Sequence, residues 1–153
     1  MKKLKILIIL LTLSIIAYLS FAYFSNGYLP TFGIPLCNEK VQMRKTVLKF
    51  WEDIKFKDLK NAAKILPPNQ DDLINIKNFL QRIFNSEAKI LDVVSYKIKT
   101  LELDSTTKRA RVKTKIIANN LQTGKKINRT VMLFFYRINI NNKSWFLELA
   151  NSF

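Results

Sequence analysis

Histidine is absent from the 153 residues, and cysteine occurs once, at Cys37. Without imidazole there is no Ser-His-Asp or Cys-His catalysis, and most zinc and transition-metal sites lose their usual ligand. A single cysteine forms neither an intramolecular disulfide nor a thiolate cluster. No metal and no cofactor are therefore expected. Glycine and proline are scarce as well, at 3 and 4 residues, against a hydrophobic content of 48%. That balance describes a packed chain rather than a disordered one.

Acidic residues are few as well. Lys and Arg number 26 against 11 Asp and Glu, a net charge of +15. The surplus persists when Lys2, Lys3 and Lys5 are set aside. It favours anionic partners such as lipid head groups, acidic polymers or nucleic acid. A/T-rich coding bias produces the same excess of lysine, so charge alone selects no partner.

What is present begins at the N-terminus. "MKKLK" precedes "ILIILLTLSIIAYLSFAYF", residues 6–24, which carry no charge. As a helix this run spans ~28 Å, close to the ~30 Å of a bilayer's hydrocarbon core. Basic residues before it and none directly after predict a cytoplasmic N-terminus and an extracytoplasmic remainder. The expectation is a single-pass cell-membrane protein with residues 1–24 as a signal anchor. Secretion after cleavage near Ala22, at the small-x-small "SFA", is the alternative. Against cleavage, the apolar run continues through Tyr23 and Phe24, and Tyr18 and Tyr23 suit an interfacial aromatic belt. Cys37 lacks the preceding small residue of a lipoprotein signal and reads as a free thiol.

Residues 25–38, "SNGYLPTFGIPLCN", read as a linker leaving the membrane. One uninterrupted domain, 39–153, follows. Its first half is helical in period: Val41, Leu48, Trp51 and Ile54 or Lys55 form one face, and a short second helix begins near Asp58 and stops at Pro67-Pro68. Asn69 reads as the cap of a third helix, with Leu73, Ile76, Leu80, Ile83 and Phe84 inward. The second half changes to period two. Strands are expected at 90–104, 108–119, 126–140 and 145–151, joined by "DSTT", "NLQTG" and "NNKS". Three helices before an antiparallel meander make an α+β domain, with the helices on one face of a curved four-stranded sheet.

The third strand has two apolar faces: Val131, Leu133 and Phe135 on one, Met132, Phe134 and Tyr136 on the other. A sheet with helices on one side alternates, so something else covers the second face. A homodimer through the sheet, or the linker, would do so.

The order of helices and strands resembles the nuclear-transport-factor-2-like superfamily of cystatin-like cone folds. The residues that carry the likeness are "FWEDIKFKDLKNAAKILPP", with Phe50-Trp51, Asp58 at the helix junction and Ala62-Ala63, together with the closing "KSWFLELA". Small exported bacterial members with a membrane anchor are the nearest in flavour. The resemblance implies a cone whose concave sheet face can hold a pocket. Relatives include isomerases and cyclases with an Asp, Tyr or His inside the cone, and docking domains in envelope assemblies. None of their functional motifs transfers residue by residue.

Three candidate sites follow. Glu52 and Asp53 lie near Lys49, Lys55 and Lys57 at helical spacing and read as surface ion pairs pointing to water. Trp51, Tyr96, Thr114 and Tyr136 are ligand-pocket candidates on the concave face. With Glu102, their tyrosine hydroxyls would polarise a carbonyl in the enzymatic alternative, although Glu102 is expected to pair with Arg109. Lys97, Lys99, Arg109, Arg111, Lys113 and Lys115 are candidates for an anionic-surface site. Nucleic acid is not expected, because no exposed aromatics for base stacking are interleaved with these cations. No catalytic residue is assigned. The reading is a non-enzymatic, membrane-anchored domain for ligand binding or for docking an envelope protein. Its alternatives are a cone-pocket isomerase or cyclase, and binding of anionic lipid or polyanion through the basic face.

Overall fold

The computed structural model describes residues 2–24, 35–68, 72–138 and 144–153, with side chains from Lys5 onward except 22–38, 69–72 and 139–143. Four helices precede a four-stranded antiparallel sheet: α1 (Lys2–Phe24), α2 (Pro35–Lys55), α3 (Leu59–Ala63), α4 (Asp72–Phe84), β1 (Leu91–Leu103), β2 (Arg109–Asn120), β3 (Lys126–Tyr136) and β4 (Phe146–Leu147). The strands lie in sequence order, as a meander. The α+β class and the order of helices and strands are as the periodicity predicts.

Among the described residues no helix is long and apolar enough to cross a membrane. The membrane span expected within residues 1–24 therefore has no support among the described residues. Its large apolar side chains are exposed along the helix, from Ile6 at 58% to Phe21 at 64%.

The linker is shorter than expected. Pro35 opens α2, because its fixed φ suits a first helical position whose N–H has no partner anyway. Residues 25–34 lie outside the described segments. The inward stripe of α2 is Val41, Met43, Val47, Phe50, Trp51 and Ile54; Leu48 is half-buried and Lys55 exposed.

The α2–α3 corner is closed by backbone hydrogen bonds. Lys57 takes φ 61°, the Asp58 N–H donates to the Asp53 carbonyl at 2.8 Å, and the Lys57 N–H donates to that of Ile54 at 3.1 Å. This is a Schellman closure with lysine where glycine is usual. The Lys57 ammonium holds the geometry by donating to the Ala88 carbonyl at 2.8 Å and to that of Leu91. Asp58 then caps α3, accepting from the Asn61 N–H at 3.1 Å. Ala62 and Ala63 are buried, small enough for the helix to sit close to α2.

Aromatics bind α2 to α4. Phe50 and Trp51 meet edge-on at 5.1 Å, and Trp51 meets Phe84 at 6.5 Å. Each such side chain contributes about 1.5–3 kcal/mol through burial. Helix α4 buries Ile76, Phe79, Leu80 and Phe84, while Leu73 and Ile83 are half-buried. The proposed cap at Asn69 lies outside the described residues.

Register determines the faces of the sheet. Leu101 pairs with Val112, which pairs with Leu133, and Ala110 pairs with Phe135. These residues are buried against the helices. Shifts between Val93/Ser95 and Ile98/Thr100 insert one extra residue each into β1, and such bulges bend a strand and increase its twist. At the β2–β3 turn, Gly124 has φ 66° and its N–H donates to the Asn120 carbonyl at 2.7 Å. That is a left-handed position where a side chain is disfavoured.

The last strand departs most from expectation. Instead of 145–151, β4 is two residues long. Glu148 donates its N–H to Phe134, and the chain then loops out and returns at Phe153, which exchanges N–H···O bonds with Met132 at 2.5 and 3.0 Å. The Ser152 hydroxyl fills the gap, accepting from the Phe134 N–H at 3.0 Å and donating to the Glu148 carbonyl at 2.7 Å. Five residues, 148–152, thus stand against two on β3, so a regular ladder is impossible there.

Candidate functional site

The concave-face candidates are Trp51, Tyr96, Thr114 and Tyr136, and they do not share one face of the sheet. Trp51 and Thr114 are fully buried, and Tyr96, half-buried, pairs with Ile116 on the same face. Phe50, Met43, Ile98, Leu101, Ile116, Leu133 and Phe135 fill the space between sheet and helices. Two polar atoms there, Thr114 Oγ1 and Trp51 Nε1, have no hydrogen-bond partner among the described residues. Burial raises the Tyr96 phenol above its ordinary pKa, with the nearby Glu52 and Asp53 charges adding to the effect. Tyr136 lies elsewhere. It pairs with Arg109, one register step from the buried Ala110–Phe135 pair, and therefore projects from the opposite face. The sequence placed it among pocket residues because strand parity depends on register, which it does not reveal.

Of the acidic pair, Glu52 faces water, but Asp53 is buried at 6%. It pairs with Lys49. The cleft beside it is lined by Asn61, Ala62, Lys64 and Trp145, so α3 and the segment before β4 fold over a carboxylate that helical period alone assigns to solvent. Lys57, expected to join this ion pairing, is turned to the Ala88 and Leu91 carbonyls instead.

The outer face of the sheet is where the cations gather. Arg109, Arg111, Lys113 and Lys115 project along β2; Lys97 stands directly opposite Lys115, and Lys99 occupies the bulge beside them. Glu102 bonds Arg111 at 2.5 Å rather than Arg109, because the strand register sets it across from Arg111.

On the other side of this cationic row runs an aromatic one. Tyr136 pairs with Arg109, Phe134 with Arg111 and Met132 with Lys113. All three β3 side chains are half-buried. Phe153 packs on Phe134 at 6.2 Å, and Phe146 on Tyr136 at 6.0 Å. The second apolar face of β3 is thus partly covered by the chain's own C-terminal residues. Aromatics do interleave with the cations, across strands rather than along one, which reading β2 by itself cannot detect.

Two open clefts border this face. One, of about 600 Å³, lies among Glu102, Arg109, Arg111, Phe134, Asn151 and Phe153. The other, of about 930 Å³, lies at the end of β3 and is lined by Arg82, Lys108, Arg109, Tyr136, Arg137 and Glu148. Arg82 supports this end, donating to the Leu149 carbonyl at 2.5 Å and the Ser152 carbonyl at 2.7 Å.

Arg137 is a residue the sequence reading missed. It is buried at 4%, donates to Glu39 at 3.1 Å and to the Thr107 hydroxyl at 2.9 Å, and joins the first turn of the sheet to α2. The local signal was an arginine ending the apolar run "VMLFFYR". Among the described residues, no group of His, Cys, Asp and Glu is arranged to hold a metal.

No family model, no curated protein and no solved structure matches this chain.

Proposed function

We propose that this protein is a single-pass membrane protein whose extracytoplasmic domain, with a nuclear-transport-factor-2-like cone fold, is a non-catalytic docking domain presenting the outer face of its sheet. The observation that carries this reading is the separation of Tyr96 and Tyr136 onto opposite faces. A cone-pocket isomerase needs a tyrosine hydroxyl and a carboxylate converging on one cavity, and the space that would hold it is filled with apolar side chains. The surface offers what the interior does not.

Anchoring is supported by the uncharged run 6–24 behind Lys2, Lys3 and Lys5, within a helix of 23 residues. Two of its hydroxyls bond within the helix: Thr12 donates to the Ile9 carbonyl at 2.9 Å and Ser14 to that of Leu10 at 2.7 Å. A helix apolar all round suits lipid, not water.

The test is cysteine accessibility in intact cells, in a Cys37→Ser background. Thr130→Cys lies on the outer face and Ser105→Cys on the β1–β2 turn. A membrane-impermeant maleimide is expected to label Ser105→Cys quickly and Thr130→Cys slowly, with equal rates after detergent solubilisation. Labelling of neither in intact cells would sink the topology. Equal labelling of both would sink the docking face.

A further inference from the structure

The face just described has a composition that narrows its partner. We propose that it docks on the anionic phospholipid headgroups of the membrane that anchors the chain, a step that rests on the anchored reading above.

Three features converge on this occupant. First, the cations exceed their counter-charges. Glu102 neutralises Arg111, whereas Lys97 and Lys115 stand directly opposite each other. Like charges directly opposite on a sheet destabilise it, and an external anion between them removes the penalty. Second, the cationic row of β2 is flanked by Met132, Phe134 and Tyr136 on β3, with Phe153 beyond them at 72% exposure. Basic side chains beside tyrosine and phenylalanine match the two layers of a bilayer interface. The cations meet headgroup phosphates, and the aromatics reach the boundary with the acyl chains. The cleft between Arg109, Arg111, Phe134 and Phe153 places both chemistries at one spot.

Third, the tether is short. Residues 25–34 join α1 to α2, and ten residues reach at most ~36 Å when fully extended. The domain is therefore held within about its own diameter of the bilayer, and a weak surface contact becomes an intramolecular one at high effective concentration. A soluble polyanion, even one whose bases could stack on the aromatic row, gains nothing from that tether.

The test is lysine footprinting of the full chain in lipid nanodiscs, one copy per disc, with a neutral acetylating reagent. Discs of phosphatidylcholine are compared with discs containing phosphatidylglycerol. Lys97, Lys99, Lys113 and Lys115 are expected to react about fivefold more slowly in the anionic discs. Lys60, Lys64 and Lys77, on the helical side, serve as internal references and should keep one rate. The protection should disappear in ~0.5 M salt. Equal rates in both lipids overturn the proposal. So does protection that appears only with two copies per disc, which points to a second chain. Protection conferred on phosphatidylcholine discs by added polyphosphate, with none from phosphatidylglycerol, also overturns it in favour of a soluble polyanion. Failure of the chain to enter discs at all would instead remove the anchored reading, and this inference with it.

Discussion

The guanidinium of Arg137 lies over the indole of Trp145, 4.8 Å from the ring centroid. Its side chain is 1% exposed, while that of its ion-pair partner Glu39 is 37% exposed. One flat cation thereby joins the end of β3 to the start of α2 and to the aromatic preceding β4. Arg137→Ala removes the stacking, the pair and the bond to Thr107 together, with an expected loss of about 3 kcal/mol. Arg137→Met keeps an aliphatic side chain over Trp145 and should lose about half as much. Urea unfolding of the full chain in detergent measures both. Equal losses would assign the effect to the polar contacts with Glu39 and Thr107 and none of it to packing over Trp145.

Thr114 tests whether the concave face is a ligand site. Its hydroxyl is fully buried and unpartnered, so Thr114→Val replaces an unsatisfied polar group by a methyl of the same shape. A gain of about 1 kcal/mol is expected. A loss of that size in thermal melts would show that the hydroxyl has a partner worth keeping.

Acid sensitivity should come from two turn carboxylates. The backbone N–H and side chain of Asn61 hold Asp58 below the ordinary carboxylate pKa. The Thr106 hydroxyl, followed by the N–H groups of Arg109 and Lys108, does the same for Asp104. A lowered folded pKa stabilises the fold above the unfolded value and ceases to do so as pH falls through the folded one. Stability should therefore be level from pH 7 to about 5 and decline below about 4. The double variant Asp58→Asn, Asp104→Asn should start less stable at pH 7 and show a flatter acid decline. An unchanged slope would place the titration elsewhere.

Lys97→Glu turns the Lys97–Lys115 repulsion into an attraction across β1 and β2. In lipid-free detergent the variant should be more stable by about 0.5 kcal/mol, and the gain should shrink in high salt. In anionic nanodiscs the same substitution should weaken the protection of Lys113 and Lys115. A variant that is less stable in detergent would mean that the two lysines already share an intramolecular counter-charge.

Much of the architecture was legible from local pattern. The change from period 3.6 to period 2 near Leu91, the Asp58 junction and the small pair Ala62-Ala63 all depend on neighbours within a few residues. The same stretch "FWEDIKFKDLKNAA" contained what locality cannot supply. Asp53 is buried by α3 and by Trp145, and Lys57 bonds Ala88 and Leu91 from more than thirty positions away in the chain.

The sequence by itself determined the exclusions of chemistry, the uncharged run at 6–24, and three helices followed by an antiparallel meander. It also determined that β3 has two apolar faces and β2 one cationic face. Only the tertiary structure decided how these meet. It set Tyr136 against Arg109 and away from Tyr96, Phe134 against Arg111, and Lys97 against Lys115. The physical reason is register: a shift of one residue between strands sends every side chain to the other face. Register is set by the bulges, the turns and the returning C-terminus acting together, contacts that no window along the chain contains.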